Sequence, residues 1–366
     1  MRITFVFVFL FGVYLCFGQN QSESQFSSFD INYFSGNIAL HNDDILHLIQ
    51  GHPEGVILSW NTKTFGKQAW EQRYNYPDYG LSFSYQNLKY DVLGQNYAIY
   101  GHYNFYFFNR NLMLRIGQGL ALTTNPYDKN TNFKNNAFGT RLMSSTYFMA
   151  NYIKERVFSQ FGFQFGLSLI HYSNANVKAP NTSINSLTIN AGVIYNFNDS
   201  YPNYQYDLTD DVRYQESIKY NIVFRSGVNE SDVIGSGQFP FYIFSTYLDK
   251  RVSKKSAVHA GFDVFFSNFL KELIYYQSVA FPDYNINSET DYKRLGLFVG
   301  HELFINKLSI VTQLGYYLYY PYDFEGRTYQ RIGVKRYFGS KWFAAITLKS
   351  HVAKAEAVEF GIGIRL

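Results

Sequence analysis

The feature that most restricts this chain is a two-residue period held for longer than a soluble strand lasts. From Val157 to Ser173 the odd positions read Val157, Ser159, Phe161, Phe163, Phe165, Leu167, Leu169, His171 and Ser173. The even positions between them are mostly small or polar, among them Gln160, Gly162, Gln164, Gly166 and Ser168. The stretches Val258 to Ser267 and Val358 to Leu366 repeat the pattern. Period two belongs to a strand, whose successive side chains point to opposite faces. Strands of soluble sandwiches average about five or six residues. Runs roughly twice that length, apolar on one parity and small or polar on the other, fit a transmembrane β-barrel with its apolar face on lipid. Composition agrees: 20% of residues are aromatic and 16% charged, at a mean hydropathy of −0.21. Beyond the N-terminus no apolar run is long enough for a membrane helix. A net charge of +4, with no basic block, leaves no nucleic-acid footprint.

Strands counted backwards from Leu366 predict an all-β fold: a transmembrane antiparallel β-barrel of about 14 strands, range 12 to 16, over residues 79–366. Tight turns at 338–341, 304–307 and 109–111 fall on the periplasmic side, and longer links at 125–136, 174–182, 272–287 and 321–327 fall outside. One link breaks the rule, since the long acidic stretch from Asp199 to Arg213 lands in the periplasm. Residues 19–78 form an N-terminal segment in which 30–37 and 54–63 look strand-like and 38–53 is ambiguous. No internal repeat is visible.

Residues 1–18 (MRITFVFVFLFGVYLCFG) place one Arg ahead of a short apolar core and end on small residues. They are expected to be a signal peptide cleaved near Gly18. The one cysteine, Cys16, would leave with it, so neither disulfides nor thiol chemistry is expected. This places the protein in the outer membrane of a diderm bacterium, after Sec-type export and with help from barrel-assembly machinery.

One site stands out. The lipid-facing parity of Phe161 to Leu169 continues into His171 and Ser173, two apart on one strand face at the headgroup level. On the next strand the lipid-facing residues Leu187, Ile189, Ala191 and Val193 extend back to Asn185. A hairpin register summing to about 358 sets Ser173 opposite Asn185. A hydroxyl, an imidazole and an amide then converge on the outside of the barrel as nucleophile, base and orienting group. From parity alone, a solvated polar rim explains the same residues.

The segment His171-Tyr172-Ser173-Asn174, within HYSNANVKAPNTSIN, resembles the His-x-Ser-Asn signature of the lipid A 3-O-deacylase (PagL-type) family of outer-membrane barrels, over roughly residues 156–197. The resemblance implies hydrolysis of the acyl ester at position 3 of lipid A, with Ser173 as nucleophile and His171 as general base. It implies that the Asn174 backbone N–H helps form the oxyanion hole. The family's third catalytic residue is a Glu fourteen positions after the His, and Asn185 stands there. Asn185 can still accept the imidazole N–H but brings no charge. Asp128, in the loop 125–136, is the candidate replacement acid.

The other candidates are less specific. Lys129, Lys134 and Lys178 are placed to meet lipid A phosphates as point charges, or are simply solvated loop charge. His102, His259 and Asp263 are expected in the lumen, and His41, His47 and His52 match no metal motif. No cofactor and no metal are expected. The partner is lipid A or lipopolysaccharide in the outer leaflet, with bulk outer-membrane lipid around it. The competing class is a channel, lipid transporter or structural barrel without catalysis.

Overall fold

The computed structural model describes residues 25–206, 214, 216–352 and 354–366. The signal peptide expected at 1–18 lies outside them. Sixteen strands follow one another: β1 (Ser27–Ile38), β2 (Glu54–Thr62), β3 (Asp78–Asn87), β4 (Gln95–Phe107), β5 (Leu112–Thr123), β6 (Leu142–Phe158), β7 (Phe161–Ser173) and β8 (Ile184–Asn196), then β9 (Lys219–Asn229), β10 (Phe239–Arg251), β11 (Ser256–Ser267), β12 (Arg294–Ile305), β13 (Leu308–Tyr319), β14 (Thr328–Phe338), β15 (Trp342–His351) and β16 (Lys354–Arg365). Among the described residues two α-helices interrupt them, α1 (Ala69–Arg73) and α2 (Asn268–Ala280).

The strands close into two antiparallel barrels of eight, β1 to β8 and β9 to β16. The first closes where β8 pairs with β1, setting Ile31 opposite Val193. The second closes where β16 pairs with β9, setting Phe360 opposite Ser226. This corrects the single barrel of about 14 strands over 79–366. The two strand-like stretches of the N-terminal segment are β1 and β2, and they complete the first barrel. The long acidic link after Asp199 joins one barrel to the next, which is why it broke the rule of short turns on that side.

Alternation decides what faces where. In β7, Phe161, Phe163, Phe165, Leu167 and Leu169 are exposed on the outer wall, while Gln164 and Ser168 are buried inside. Such a continuous apolar exterior suits lipid rather than water. Thirteen residues of strand extend about 43 Å, which a tilt near 45° reduces to about 30 Å, the hydrocarbon thickness of a bilayer. Aromatic rings crowd the end where the first barrel's terminal strands begin and finish: Trp60 stacks on Phe197 with ring centres 4.8 Å apart, and Tyr195 packs on Phe161. Tyr85 and Tyr97 pair near the opposite end. Aromatics at both rims match the girdles that membrane barrels carry.

An eight-stranded barrel is only wide enough inside for side chains, and both interiors are filled with polar ones. In the first, Arg115 reaches Asp30 at 2.7 Å, Asn104 at 2.7 Å and Ser59 at 2.6 Å. In the second, Arg331 bonds Glu359 at 2.6 Å and Asp263 at 2.9 Å. His102, His259 and Asp263 are buried inside, as their parity requires. Glycines on the inner face make room for neighbouring rings. A Cβ at Gly117 would lie 2.1 Å from the Tyr147 ring, and one at Gly315 equally close to Tyr329.

The ambiguous stretch 38–53 holds a short 3-10 helix, Asp43–Leu48, capped by the Asn42 side chain. Its Ile45 and Leu48 are buried with Leu88, Leu93, Ala137 and Phe138 from other loops at this end of the first barrel. The barrels stand side by side with the same polarity. At this end the segment 174–183 meets the β9–β10 loop. At the other end the Tyr74 hydroxyl donates to the Phe304 carbonyl at 2.7 Å.

Candidate active site

The β7–β8 hairpin carries the site. Its register sets His171 opposite Asn185 and Tyr172 opposite Ile184, so the pairing sum is 356. This corrects the expected register by two residues: Asn185 faces His171, not Ser173. The parity survives because a shift of two leaves every side chain on its face. The consequence is chemical. His171 Nδ1 lies 2.7 Å from Asn185 Oδ1, and an amide oxygen can only accept, so the ring holds its hydrogen on Nδ1 and leaves Nε2 free.

Ser173 ends β7, where the chain turns into the segment 174–183. Its hydroxyl donates to Asn181 Oδ1 at 3.1 Å and accepts the Ala175 N–H at 2.9 Å. Those two partners, not His171, hold it in this state. The Asn174 N–H donates to the same Asn181 oxygen at 2.8 Å, and the Asn174 amide donates to the Lys178 carbonyl. One side-chain oxygen, on Asn181, thus collects both the hydroxyl and the backbone N–H that the sequence marks as reactive. Ser173 is 6% exposed and Asn174 5%, which corrects the expectation of an open outward hydroxyl, because Ser173 is bonded into the segment 174–183 that turns back over it.

Asp128 is held by its own loop. Its Oδ1 accepts from the Asn130 and Thr131 N–H groups and the Thr131 hydroxyl. Those bonds hold its carboxyl below the usual range, and all of them lie within its own loop. The Lys129, Lys134 and Lys178 side chains are exposed on loops at the site end. His41 and His47 act as braces. His41 lies 3.0 Å from the Thr182 carbonyl, tying the first loop to the site segment, and His47 is 2.8 Å from the Lys134 carbonyl, tying it to the loop 125–136.

Sequence reasoning missed Asn181. It lies in an Asn-rich turn where its residue type signals only a turn, and nothing local reveals which way its amide points.

Comparison with known proteins adds the family. The model described as lipid A 3-O-deacylase (PagL) matches residues 54–193, running from β2 into β8. A second, described as acyloxyacyl hydrolase, C-terminal domain, matches residues 218–366, the whole second barrel. No curated protein matches. Among solved structures, the Acinetobacter baumannii outer membrane protein Omp33 is similar at 7% identity over 94% of this chain and 99% of that one, with a TM-score of 0.18. A mutant porin of Rhodopseudomonas blastica reaches 8% identity over the same shares, also at 0.18. Overlays that loose carry no argument, and the two family matches, one on each barrel, are what count: the chain belongs to the lipid A 3-O-deacylase (PagL) family, extended by the acyloxyacyl hydrolase C-terminal domain.

Proposed function

We propose that this protein is an outer-membrane lipid A deacylase that cleaves the 3-O-linked acyl ester by a serine mechanism on the lipid-facing rim of the first barrel. The observation that carries the reading is the 2.7 Å His171–Asn185 contact, two residues from Ser173 and inside the stretch matched by the deacylase model. In this mechanism Ser173 turns its hydroxyl from Asn181 to His171. Nε2 takes the proton as Oγ attacks the ester carbonyl. The negative charge on the tetrahedral oxygen falls to the Asn174 N–H. His171 then returns the proton to the departing sugar hydroxyl, and water releases the acyl group from Ser173 by the same steps in reverse. Asn185 keeps the imidazole in the right tautomer.

Lipid A presents its acyl esters just below the headgroups, the depth at which β7 ends. Lys129, Lys134 and Lys178 surround this rim as contacts for its phosphates. Export with loss of residues 1–18 and insertion by barrel-assembly machinery belong to the same reading. A channel is disfavoured, because hydrogen-bonded side chains fill both interiors.

Mass spectra of lipid A from membranes holding the wild type or Ser173→Ala test the proposal. The expected result is loss of one 3-hydroxyacyl unit with the wild type alone. Intact lipid A in both would remove the activity, and deacylation by Ser173→Ala would move the nucleophile elsewhere.

A further inference from the structure

The second barrel lies beside the site without contributing a residue to the proposed chemistry, yet it grips the segment that covers Ser173. Glu230 follows β9 and is 3% exposed. Its Oε2 accepts the Ala179 N–H at 2.9 Å, and its Oε1 accepts the Gly237 N–H of its own loop at 3.0 Å. Its backbone N–H donates to the Asn176 carbonyl at 2.9 Å. Beside it, the Gln238 amide donates to the Val177 carbonyl at 2.8 Å, and the Asn176 amide donates to the Ala355 carbonyl of β16 at 2.8 Å. The chain of bonds continues inward. The Asn181 amide donates to Asn176 Oδ1 at 3.1 Å, and Asn181 Oδ1 accepts from Ser173 and Asn174.

We infer that Glu230 is a positioning residue for the active site: through Ala179 and Asn176 the second barrel holds the segment 174–183 so that Asn181 and the Asn174 N–H stand at Ser173. A buried side chain whose two oxygens each meet a backbone N–H leaves little freedom to the loops it joins. A segment of ten residues anchored only at its ends would sample many conformations, and a catalytic group misplaced by about 1 Å can cost as much as 10²-fold in rate. The inference rests on the proposed serine mechanism, but its structural half does not.

The test is Glu230→Gln in the full chain, which keeps size and acceptor on one side but turns an NH2 toward the N–H on the other. Hydrogen exchange over 174–183 is expected to speed up while β7 and β8 stay protected. Turnover is expected to fall about tenfold in kcat with KM within about twofold, since positioning rather than lipid binding is lost. Gln238→Ala, which alters an exposed side chain, should act in the same direction more weakly and serves if Glu230→Gln fails to fold. Unchanged exchange, or faster exchange with unchanged kcat, would overturn the inference. A wild type inactive on lipid A would overturn the proposed function instead, and loop exchange in the two variants would still decide the grip.

Discussion

At the scale of single residues, the proposed site turns on an amide, Asn185, where the resemblance implies a carboxylate. Asn185 Oδ1 meets His171 Nδ1 at 2.7 Å, so it can fix the ring's direction and tautomer without offering charge to the imidazolium. Asn185→Ala should therefore lower kcat by about 10²-fold, because the freed ring loses both. Asn185→Glu should keep or raise activity by adding the missing charge. Steady-state kinetics on purified lipid A check both, and a silent Asn185→Ala would mean that His171 works without support. Parity, spacing and family resemblance nominate Ser173, His171, Asn174 and Asn185, and the fold brings His171 and Asn185 into contact. They do not nominate Asn181, since a turn residue's side-chain direction depends on the folded loop.

At the scale of elements, the β7–β8 hairpin shows what periodicity can and cannot fix. Alternation set the outward face, and the structure places Leu167 56% exposed and Ser168 buried. Cysteine at Leu167 or Leu169 should react with a lipid-soluble maleimide and resist an impermeant one, whereas cysteine at Ser168 should resist both. Labelling of position 167 by the impermeant reagent would mean that the outer wall is not in lipid. Register is another matter. A sum of 356 and one of 358 leave the same residues outside, so hydrophobicity cannot choose between them. The turn geometry of 174–183 makes the choice, and with it the partner of His171.

At the scale of the molecule, each barrel is organised around its own buried ion pairs. Arg115→Met would leave Asp30 buried without its cation, and Arg331→Met would take from Asp263 and Glu359 their nearer cation, leaving them Arg225 at 3.9 and 3.7 Å. Breaking a buried pair from one side costs about 3 to 5 kcal/mol. Trp60 and Trp70 report on the first barrel and Trp342 on the second. In denaturant titrations of refolded protein with single-Trp variants, each substitution should shift its own barrel's midpoint and leave the other within error. A common shift at all three positions would show that the barrels unfold as one unit.

The sequence by itself determined that the chain is built of long strands with an apolar face outward, and roughly where the strands after residue 79 run. These are local properties, written in a two-residue period and in turn-forming residues between the runs. It also marked the His-x-Ser-Asn segment at one strand end. Only the tertiary structure decided that β8 returns to β1 across more than a hundred residues, making two barrels of one strand series. Closure depends on pairing between backbones far apart in the chain, and backbone hydrogen bonds look alike whichever strand supplies them. The grip of Glu230 on the segment over Ser173 has the same origin: two loops meet because two barrels stand side by side, which no spacing in the sequence records.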